Sequence, residues 1–271
     1  MATRKKAAAS DATIQEAPKI IEPQFYGMTL DDEQLAFANA IWNPDIDIVF
    51  CNSKAGTGKT TVAAGVANML ALYGFYSGIV YIMSPYGERK QGYLPGDLTE
   101  KSSVYFEAFM QALQNCNVNV FTAINNESMV NQKNGTGYIT CITDTYLRGT
   151  NLNDAVVIID EAQNYTVPQL KKTLTRIGGK AKVIVIGHDR QCDLSGETQS
   201  GFTRYIEHFR GCERAAICEL KNNHRGWVSQ WADELEEPEE SEPYIKVPYS
   251  KHGDLSPGYL PNDGAPMVIP L

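Results

Sequence analysis

The segment from Ser53 to Thr60 holds the residues whose types and spacing most clearly suit a chemical task. It reads Ser-Lys-Ala-Gly-Thr-Gly-Lys-Thr and matches the phosphate-binding pattern GxxxxGK[ST], with Ser53 in the place of the first glycine. Gly56 and Gly58 let the backbone curl so that successive N–H groups point at phosphate oxygens. Lys59 can supply a positive charge to the β- and γ-phosphates, and the Thr60 hydroxyl can be a ligand of Mg²⁺. The predicted nucleotide contacts are Lys54, Ala55, Gly56, Thr57, Gly58, Lys59, Thr60 and Thr61.

A second group of residues, an acidic pair after an apolar run, strengthens this interpretation. Val156 to Ile159 are apolar and β-branched, and Asp160 and Glu161 follow directly. At a strand end Asp160 can hold Mg²⁺ through water, and Glu161 can orient and deprotonate an attacking water. Alone, the loop could be a turn that binds nothing, and the acids could merely solvate a strand end. Together they predict a nucleoside triphosphatase, and Glu161 favours hydrolysis over phosphate transfer to an acceptor.

The order of apolar runs and helical segments around these residues predicts an α/β fold, with a mostly parallel central sheet flanked by helices. Short apolar runs, typical of parallel strands covered on both faces, occur at residues 46–52, 78–85, 138–143, 155–160, 182–187 and 215–220. Helical spacing follows the phosphate loop and recurs at about residues 165–177 and 202–209. An earlier helix is predicted with Thr29 as its N-cap and Pro44 as its stop.

Composition and patterning give the expected domain organisation. We predict a flexible arm over residues 1–23, one domain over residues 24–235, and an acidic, Pro-containing, disordered tail over residues 236–271. The Asn-rich stretch at residues 116–137 is expected to be a loop or small insertion. Residues 60–87 carry no charge but contain Asn68, Gly74 and Gly78, so a helix, turn and strand are expected there rather than a membrane span.

Charge and cysteine usage limit the compartment and the partners. The six cysteines show no CxxC pair, which predicts reduced thiols in a cytoplasmic protein. A formal net charge of −8 argues at first against nucleic acid as a partner. However, the segment from Asp233 to Pro243 holds seven acids and no base, so the rest of the chain is close to neutral. The overall charge therefore does not exclude a nucleic-acid partner.

Four stretches of the chain resemble PhoH-type ATPases, and the resemblance covers about residues 25–232. They are KAGTGKTT, GYLPGDLTEK, TYLRGTNLNDAVVIIDEAQN and LTRIGGKAKVIVIGHDRQCDL, and the third carries most of the specificity. The family is similar to the nucleotide-binding half of superfamily 1 helicases, and short versions occur in phage genomes. The resemblance implies a RecA-like P-loop fold, ATP hydrolysis with Mg²⁺ and work on RNA or DNA. For a phage-encoded chain the expected location is the host cytoplasm.

Three further site residues follow from the resemblance. Gln34 lies where helicase-like proteins place a glutamine that reads adenine, although a solvated helix glutamine is the alternative. Gln191 resembles the γ-phosphate-sensing glutamine of the pattern Gly-Asp-x-x-Gln, in which His188 here replaces the aspartate. Arg225 matches the arginine of the pattern Leu-x-x-Asn-x-Arg and is the candidate arginine finger, with a surface role as the alternative. The predicted catalytic residues are therefore Lys59, Glu161, Gln191 and Arg225.

Partners are predicted from chain length, from a basic run and, for nucleic acid, mainly from the family resemblance. The chain has room for one RecA-like domain, so a neighbouring subunit is expected to complete the site in a homo-oligomer, for example a hexameric ring. Single-stranded nucleic acid is the predicted partner of a basic set, with a solvated helix face as the alternative: Lys171, Lys172, Arg176, Lys180, Lys182, Tyr146, Arg148, Arg89 and Lys90. A P-loop kinase and a nucleotide-gated scaffold with slow hydrolysis remain competing functions.

Overall fold

A computed structural model gives the structure of residues 16–84, 106–124, 137–147, 151–194 and 200–233. Its strands are β1 (Gln24–Phe25), β2 (Met28–Thr29), β3 (Ile48–Ser53), β4 (Gly78–Met83), β5 (Ile139–Thr143), β6 (Ala155–Asp160), β7 (Ala181–Gly187) and β8 (Ala215–Leu220). Its α-helices are α1 (Asp32–Trp42), α2 (Lys59–Leu72), α3 (Glu107–Asn115), α4 (Val120–Ala123), α5 (Val167–Leu174), α6 (Gly201–Phe209) and α7 (Trp227–Asp233). Single 3₁₀ turns follow β5 and β6, at Asp144–Leu147 and Ala162–Asn164.

The described strands β3 to β8 form one parallel sheet in the order β5-β4-β6-β7-β3-β8. One strand, β7, separates β3, which leads into the phosphate loop, from β6, which ends in the acidic pair. Parallel strands bring their carboxyl ends to the same edge, so the loop and the acids meet there. The predicted RecA-like P-loop α/β fold is confirmed.

Alternating side chains of the strands enter two hydrophobic cores, one on each face of the sheet. In β6, Val156 and Ile158 pack in the core under α1 to α4, whereas Val157 and Ile159 pack in the core under α5 and α6. All six residues of β6 are buried. Burial on both faces explains why the strands read as continuous apolar runs in the sequence.

The helix before the first sheet strand begins two residues later than predicted. Its N-cap is Asp31 rather than Thr29, which lies in β2. The Asp31 carboxylate accepts a hydrogen bond from the N–H of Gln34, and the Gln34 side chain accepts one from the N–H of Asp31. This capping box satisfies two backbone donors at once, which a threonine at position 29 cannot do.

Two segments expected to be irregular pack in part on the domain. In the predicted N-terminal arm, Ile21 is buried and its N–H donates to the Asn39 side chain of α1. In the Asn-rich stretch, Asn119 caps the short helix α4, and Val120 is buried. The remainder of that stretch, residues 125–136, lies outside the described residues, as do the predicted C-terminal tail and residues 1–15.

None of the helices in the described residues is both long enough and apolar enough to cross a bilayer. The uncharged stretch at residues 60–87 forms most of α2, a turn at Gly74 and β4, as far as it is described.

Candidate nucleotide-binding site

The phosphate loop connects β3 to α2 and adopts the tight turn that its glycines allow. Gly56 and Gly58 have φ values of 76° and 78°, in the left-handed region that side chains with a Cβ disfavour. Ser53, in contrast, is the last residue of β3 and pairs in register with Leu220. Its extended backbone needs no glycine, which explains why serine is tolerated at this motif position.

The loop presents a row of unpaired backbone donors at the amino end of α2. Among the described residues, the N–H groups from Ala55 to Thr61 have no backbone acceptor. The N-cap of α2 is Gly58, which has no side chain to fill this role. Unpaired N–H groups at a helix N-terminus form an anion-binding site, and the helix dipole adds to it.

The Thr60 hydroxyl and the Asp160 carboxylate meet at the carboxyl edge of the sheet. Thr60 Oγ1 donates to Asp160 Oδ2 over 3.1 Å, although the two residues are 100 positions apart. Tyr81, in the neighbouring strand β4, donates to the same oxygen at 2.9 Å. Asp160 is thereby oriented from two sides.

The electrostatics of this edge favour a bound cation. Burial, together with the nearby Glu161 carboxylate, raises the pKa of Asp160, while the Lys59 charge opposes the shift. A hydroxyl and a carboxylate are oxygen ligands of the kind that Mg²⁺ prefers, and Mg²⁺ commonly takes few protein ligands beside nucleotide oxygens. No cluster of three or more His, Cys, Asp or Glu in the described residues could hold a metal without such help. Thr60 and Asp160 therefore fit a nucleotide-bound Mg²⁺.

Glu161 follows Asp160 in a left-handed backbone conformation, with φ of 50°. Its N–H donates to Asp160 Oδ1 at 2.8 Å, and its carboxylate accepts a hydrogen bond from Gln163 Nε2 at 2.6 Å. This conformation is uncommon for a residue with a side chain. The first hydrogen bond fixes the Glu161 backbone beside Asp160, and the second holds its carboxylate.

The loop after β7 joins the site through its backbone. The N–H of His188 donates to Gln163 Oε1 at 2.9 Å, and the N–H of Asp189 donates to the Asn52 side chain at 3.2 Å. The side chain of Gln191 is exposed, and its own N–H donates to the His188 carbonyl at 3.1 Å. No described contact joins the Gln191 side chain to the phosphate loop.

Arg225 lies beside the phosphate loop of its own chain. A Cβ added to Gly56 would lie 3.0 Å from Arg225 Cγ and 2.5 Å from Asn223 Oδ1. The N–H of His224 also donates to the Gly56 carbonyl at 2.9 Å. The segment after β8 thus contacts the loop within one chain, so no second subunit is needed to place Arg225 near it.

The same segment ties the loop to an exposed aromatic helix. Asn223 Nδ2 donates to Ser229 Oγ in α7 at 2.7 Å. On this helix Trp227 and Trp231 stack, with ring centroids 6.1 Å apart, and about two thirds of each side chain is exposed. Asn223 is therefore the link between Gly56 and α7.

Gln34 is buried and braces the loop from the side of α1. Its Nε2 donates to the Thr57 carbonyl at 2.8 Å, while its Oε1 accepts the capping-box hydrogen bond from the N–H of Asp31. A cavity of about 260 Å³ lies next to it, between the start of α2 and β2, and its lining includes Met28, Leu30, Val62, Gly58 and His224. An apolar cavity that opens beside a phosphate loop is a suitable place for a nucleotide base.

The predicted basic run is not a single exposed face. Lys182 is buried in β7, and its ammonium donates to the carbonyls of Asn43, at 2.7 Å, and Ile46. Burial lowers the pKa of Lys182 to about 8. The inclusion of Lys182 among surface cations was wrong, because the turn after α1 needs a donor there.

The remaining predicted cations divide into three groups. Lys180 pairs with Asp154 at 2.5 Å, and Lys172 Nζ lies 3.5 Å from the Asp144 carbonyl. Lys171 is exposed on α5 and Arg176 is half-exposed just after it. The other predicted contacts lie outside what the structure describes, namely the Tyr146 side chain and the residues Arg148, Arg89 and Lys90.

Sequence reasoning missed two residues of the site, Tyr81 and Gln163. Tyr81 is a tyrosine in an otherwise apolar, buried strand, and a buried tyrosine hydroxyl usually has a hydrogen-bond partner. Gln163 follows the acidic pair by two residues, yet nothing in the sequence indicates that it contacts a loop 25 positions later.

The model of the family described as PhoH-like protein matches residues 28–232, which is more than half of the chain. The chain belongs to the PhoH-like family. The matched region contains the phosphate loop, the acidic pair and the Arg225 segment.

Similar PhoH-like proteins come from distant bacteria. The PhoH-like protein of Bacillus subtilis (strain 168) is 36% identical over 176 residues, which are 64% of this chain and 52% of that protein. The PhoH-like protein of Mycobacterium leprae is 33% identical over 198 residues, or 71% and 54% of the two chains. Protein PhoH of Escherichia coli K12 is 30% identical over 204 residues, or 70% and 55%. The chain thus spans about half the length of the curated relatives it matches.

Solved structures give only distant likenesses to this PhoH-like chain. The Hef helicase domain of Pyrococcus furiosus has a TM-score of 0.39 and 14% identity, over 69% of this chain and 37% of its own. The Pif1 helicase of Candida albicans has a TM-score of 0.35 and 15% identity, over 72% of this chain and 40% of its own.

Proposed function

We propose that this PhoH-like protein is a Mg²⁺-dependent ATPase whose hydrolysis is coupled to single-stranded nucleic acid. The observation that carries the proposal is the hydrogen bond between Thr60 and Asp160, which joins the phosphate loop to the acidic strand end. Hydroxyl and carboxylate then lie where one cation can be shared with a bound triphosphate.

Binding of the triphosphate is assigned to the loop and α2. The unpaired N–H groups from Ala55 to Thr61 would bind the phosphate oxygens, and Lys59 would supply a positive charge to the same group. When bound, Mg²⁺ supplies charge neutralisation of the phosphates. Thr60 and Asp160 are the residues that would hold it.

Glu161 is assigned as the general base. Its carboxylate is fixed at the sheet edge next to Asp160, where it can accept a proton from a water aimed at the γ-phosphate. A carboxylate so placed suits hydrolysis better than transfer to an acceptor, which disfavours the kinase alternative.

The base of the nucleotide is assigned to the 260 Å³ cavity beside Gln34. Both ends of the Gln34 amide already bind backbone groups, which leaves one N–H of Nε2 and one lone pair of Oε1 for a ligand. Gln34 therefore acts first as a brace for the loop and has one donor and one acceptor position left for adenine.

Arg225 is assigned to the γ-phosphate, from within the same chain, because it contacts the loop at Gly56. A homo-oligomer, including a hexameric ring, remains a proposal that this placement neither requires nor opposes. Native mass measurement with an ATP analogue, and turnover across a range of protein concentrations, test it.

Single-stranded nucleic acid is assigned to the exposed end of α5. Lys171 and the neighbouring Arg176 present positive charge without a described acidic partner. Phosphate contacts of this kind give binding that weakens as salt increases.

The test is steady-state ATP turnover with and without single-stranded RNA or DNA. We expect Mg²⁺-dependent turnover that nucleic acid stimulates, and its loss in Lys59→Ala and Glu161→Gln. Arg210→Ala is the matched control, since Arg210 pairs with Glu207 on the surface of α6. Absence of turnover in the wild type contradicts the ATPase proposal, and tight nucleotide binding without turnover favours the scaffold alternative.

A further inference from the structure

We propose that Gln163 is a positioning residue that fixes the Glu161 carboxylate and couples it to the loop after β7. The inference rests on the proposed ATPase function and deepens it. Gln163 is 1% exposed, and from the 3₁₀ turn after β6 its side chain reaches the loop after β7. It touches neither the phosphate loop nor the Thr60–Asp160 pair in any described contact.

The amide of Gln163 has only one orientation that satisfies both neighbours. Its Nε2 donates to Glu161 Oε2 at 2.6 Å, and its Oε1 accepts from the N–H of His188 at 2.9 Å. A carboxylate can only accept and a backbone N–H can only donate, so the flipped amide would leave both groups unpaired. Glutamine supplies the donor and the acceptor at the ends where each is needed.

The surroundings make room for this amide. A Cβ at Gly187 would lie 2.8 Å from Gln163 Oε1, closer than two such atoms approach. Gly187 has no positive φ, so space and not conformation favours glycine at the end of β7. The side chain of Gln163 therefore occupies the volume that a larger residue 187 would need.

This contact also explains how the chain accommodates His188. The aspartate expected at that position would offer a side-chain link between the β7 loop and the metal site. Here the loop after β7 is linked instead to Glu161, through the His188 backbone N–H and the Gln163 amide. A backbone link does not depend on the identity of the residue at position 188.

A second clip between the same loops provides a matched control. Asn164 and Asp193 exchange two hydrogen bonds: Asn164 Nδ2 donates to Asp193 Oδ2 at 3.3 Å, and the N–H of Asp193 donates to Asn164 Oδ1 at 2.9 Å. Asn164 is buried like Gln163, but its side chain does not bind Glu161; only its backbone N–H, which Asn164→Ala keeps, donates to the Glu161 carbonyl at 2.9 Å. Loss of the Asn164 clip should therefore loosen the loops without releasing the base.

When the Glu161 carboxylate is no longer held in place, the rate of ATP hydrolysis should fall and the nucleotide affinity should stay the same. A general base works only within hydrogen-bond reach of the proton it accepts. Glu161 has several rotatable bonds, and a displacement of about 1 Å can cost on the order of 100-fold in rate. The phosphate cradle holds the nucleotide independently of Glu161.

Three variants distinguish the hydrogen bond that Gln163 donates to Glu161 from the one that it accepts from His188. Gln163→Met removes both the donor and the acceptor at nearly constant volume. Gln163→Glu keeps an acceptor for His188 but removes the donor to Glu161. Asn164→Ala removes only the second clip.

Three measurements are made on each full-length variant: kcat for ATP hydrolysis, the Kd of a non-hydrolysable ATP analogue, and amide hydrogen exchange of the nucleotide-free protein by NMR. Gln163→Met should lower kcat at least about tenfold, about 1.4 kcal/mol in the barrier, with Kd unchanged and faster exchange at His188. Gln163→Glu should lower kcat similarly but leave the His188 amide protected. Asn164→Ala should speed exchange at Asp193 and keep kcat within about twofold.

The outcomes distinguish this inference from the proposed function. A wild type that turns over ATP, with Gln163→Met and Gln163→Glu equally active, overturns the positioning role alone. Equal losses of kcat in Asn164→Ala and in the Gln163 variants also overturn it, because loop tethering would then be the cause. A wild type without turnover overturns the ATPase proposal and the inference together. If Gln163→Met does not fold, Gln163→Glu decides.

Discussion

The Tyr81 hydroxyl donates a hydrogen bond to Asp160 Oδ2 at 2.9 Å from the neighbouring strand β4. The ring of Tyr81 stacks on Phe109 of α3, with centroids 4.0 Å apart and planes 10° apart. Since Thr60 donates to the same carboxylate oxygen, Tyr81 completes the orientation of the proposed metal ligand from inside the core.

Tyr81→Phe should weaken Mg²⁺ binding while the fold is retained. Loss of one hydrogen bond to a buried carboxylate costs about 1–3 kcal/mol, so the half-saturating Mg²⁺ concentration should rise at least about fivefold. The measurement is a Mg²⁺ titration of nucleotide binding. Tyr165→Phe is the control, because the buried Tyr165 hydroxyl has no described partner and its loss should cost nothing. An unchanged Mg²⁺ dependence in Tyr81→Phe would contradict the role of Tyr81.

Gly56→Ala should weaken nucleotide binding as well as strain the local backbone. Gly56 and Gly74 have nearly equal φ values, 76° and 75°, so alanine should cost each about 1–2 kcal/mol of stability. Only at Gly56 would the new Cβ also meet Asn223 and Arg225, whereas Gly74 has open space. Nucleotide affinity should fall at least about tenfold in Gly56→Ala and stay constant in Gly74→Ala. Equal affinities in the two variants, measured by titration with an ATP analogue, would exclude a functional contact between the segment after β8 and the loop.

Lys182 should give a distinct pH dependence of stability. Burial lowers its pKa from 10.5 to about 8, so between these values the unfolded chain binds more protons than the folded chain. Stability contributed by Lys182 must therefore rise as the pH increases through this window. Urea unfolding of the wild type and of Lys182→Met at pH 7 to 10 measures this dependence. As the pH rises, the free energy of unfolding of the wild type should increase relative to that of Lys182→Met. Thiols and phenols titrate alike in both proteins and cancel, so a pH-independent difference would contradict the burial of a charged Lys182.

The end of α5 should contribute measurably to nucleic-acid binding. Replacing Lys171 and Arg176 together by alanine should reduce the slope of log affinity against log salt by about 1.4, about 0.7 for each lost phosphate contact with a single strand. Lys180→Ala is the comparison on the same surface, because Lys180 already pairs with Asp154 and should change the slope little. Binding to labelled single-stranded RNA and DNA across salt concentrations measures this. Equal slopes for the double variant and the wild type would place the nucleic acid elsewhere.

The sequence was sufficient for the sheet and the phosphate loop because their signals are local. Continuous apolar runs predicted the strands to within two residues, and the glycine spacing predicted the turn before α2. Both Thr29 and Asp31 suit the N-cap of α1, so the local pattern alone predicts the wrong one, Thr29. Only the capping box with Gln34 distinguishes Asp31 from it.

The errors and omissions concern contacts between distant parts of the chain. Lys182 follows a turn of surface-type residues, and its burial depends on carbonyls of Asn43 and Ile46, more than 130 positions earlier. Gln163 lies in the stretch that resembles the family most, but its contact with the loop after β7 is not apparent from that stretch. Such pairings arise when neighbouring strands bring their ends together, which a local pattern does not contain.

The exposed pair on α7 gives the chain its own optical reporter. Of its three tryptophans, Trp42 is buried, whereas Trp227 and Trp231 face solvent and stack on each other. Asn223 lies against the loop glycine and binds Ser229 of this helix, so we expect a shift of the loop on ligand binding to reach the indole rings. Titration with nucleotide should therefore change the intrinsic emission without an added dye, and Trp231→Phe should remove most of that change.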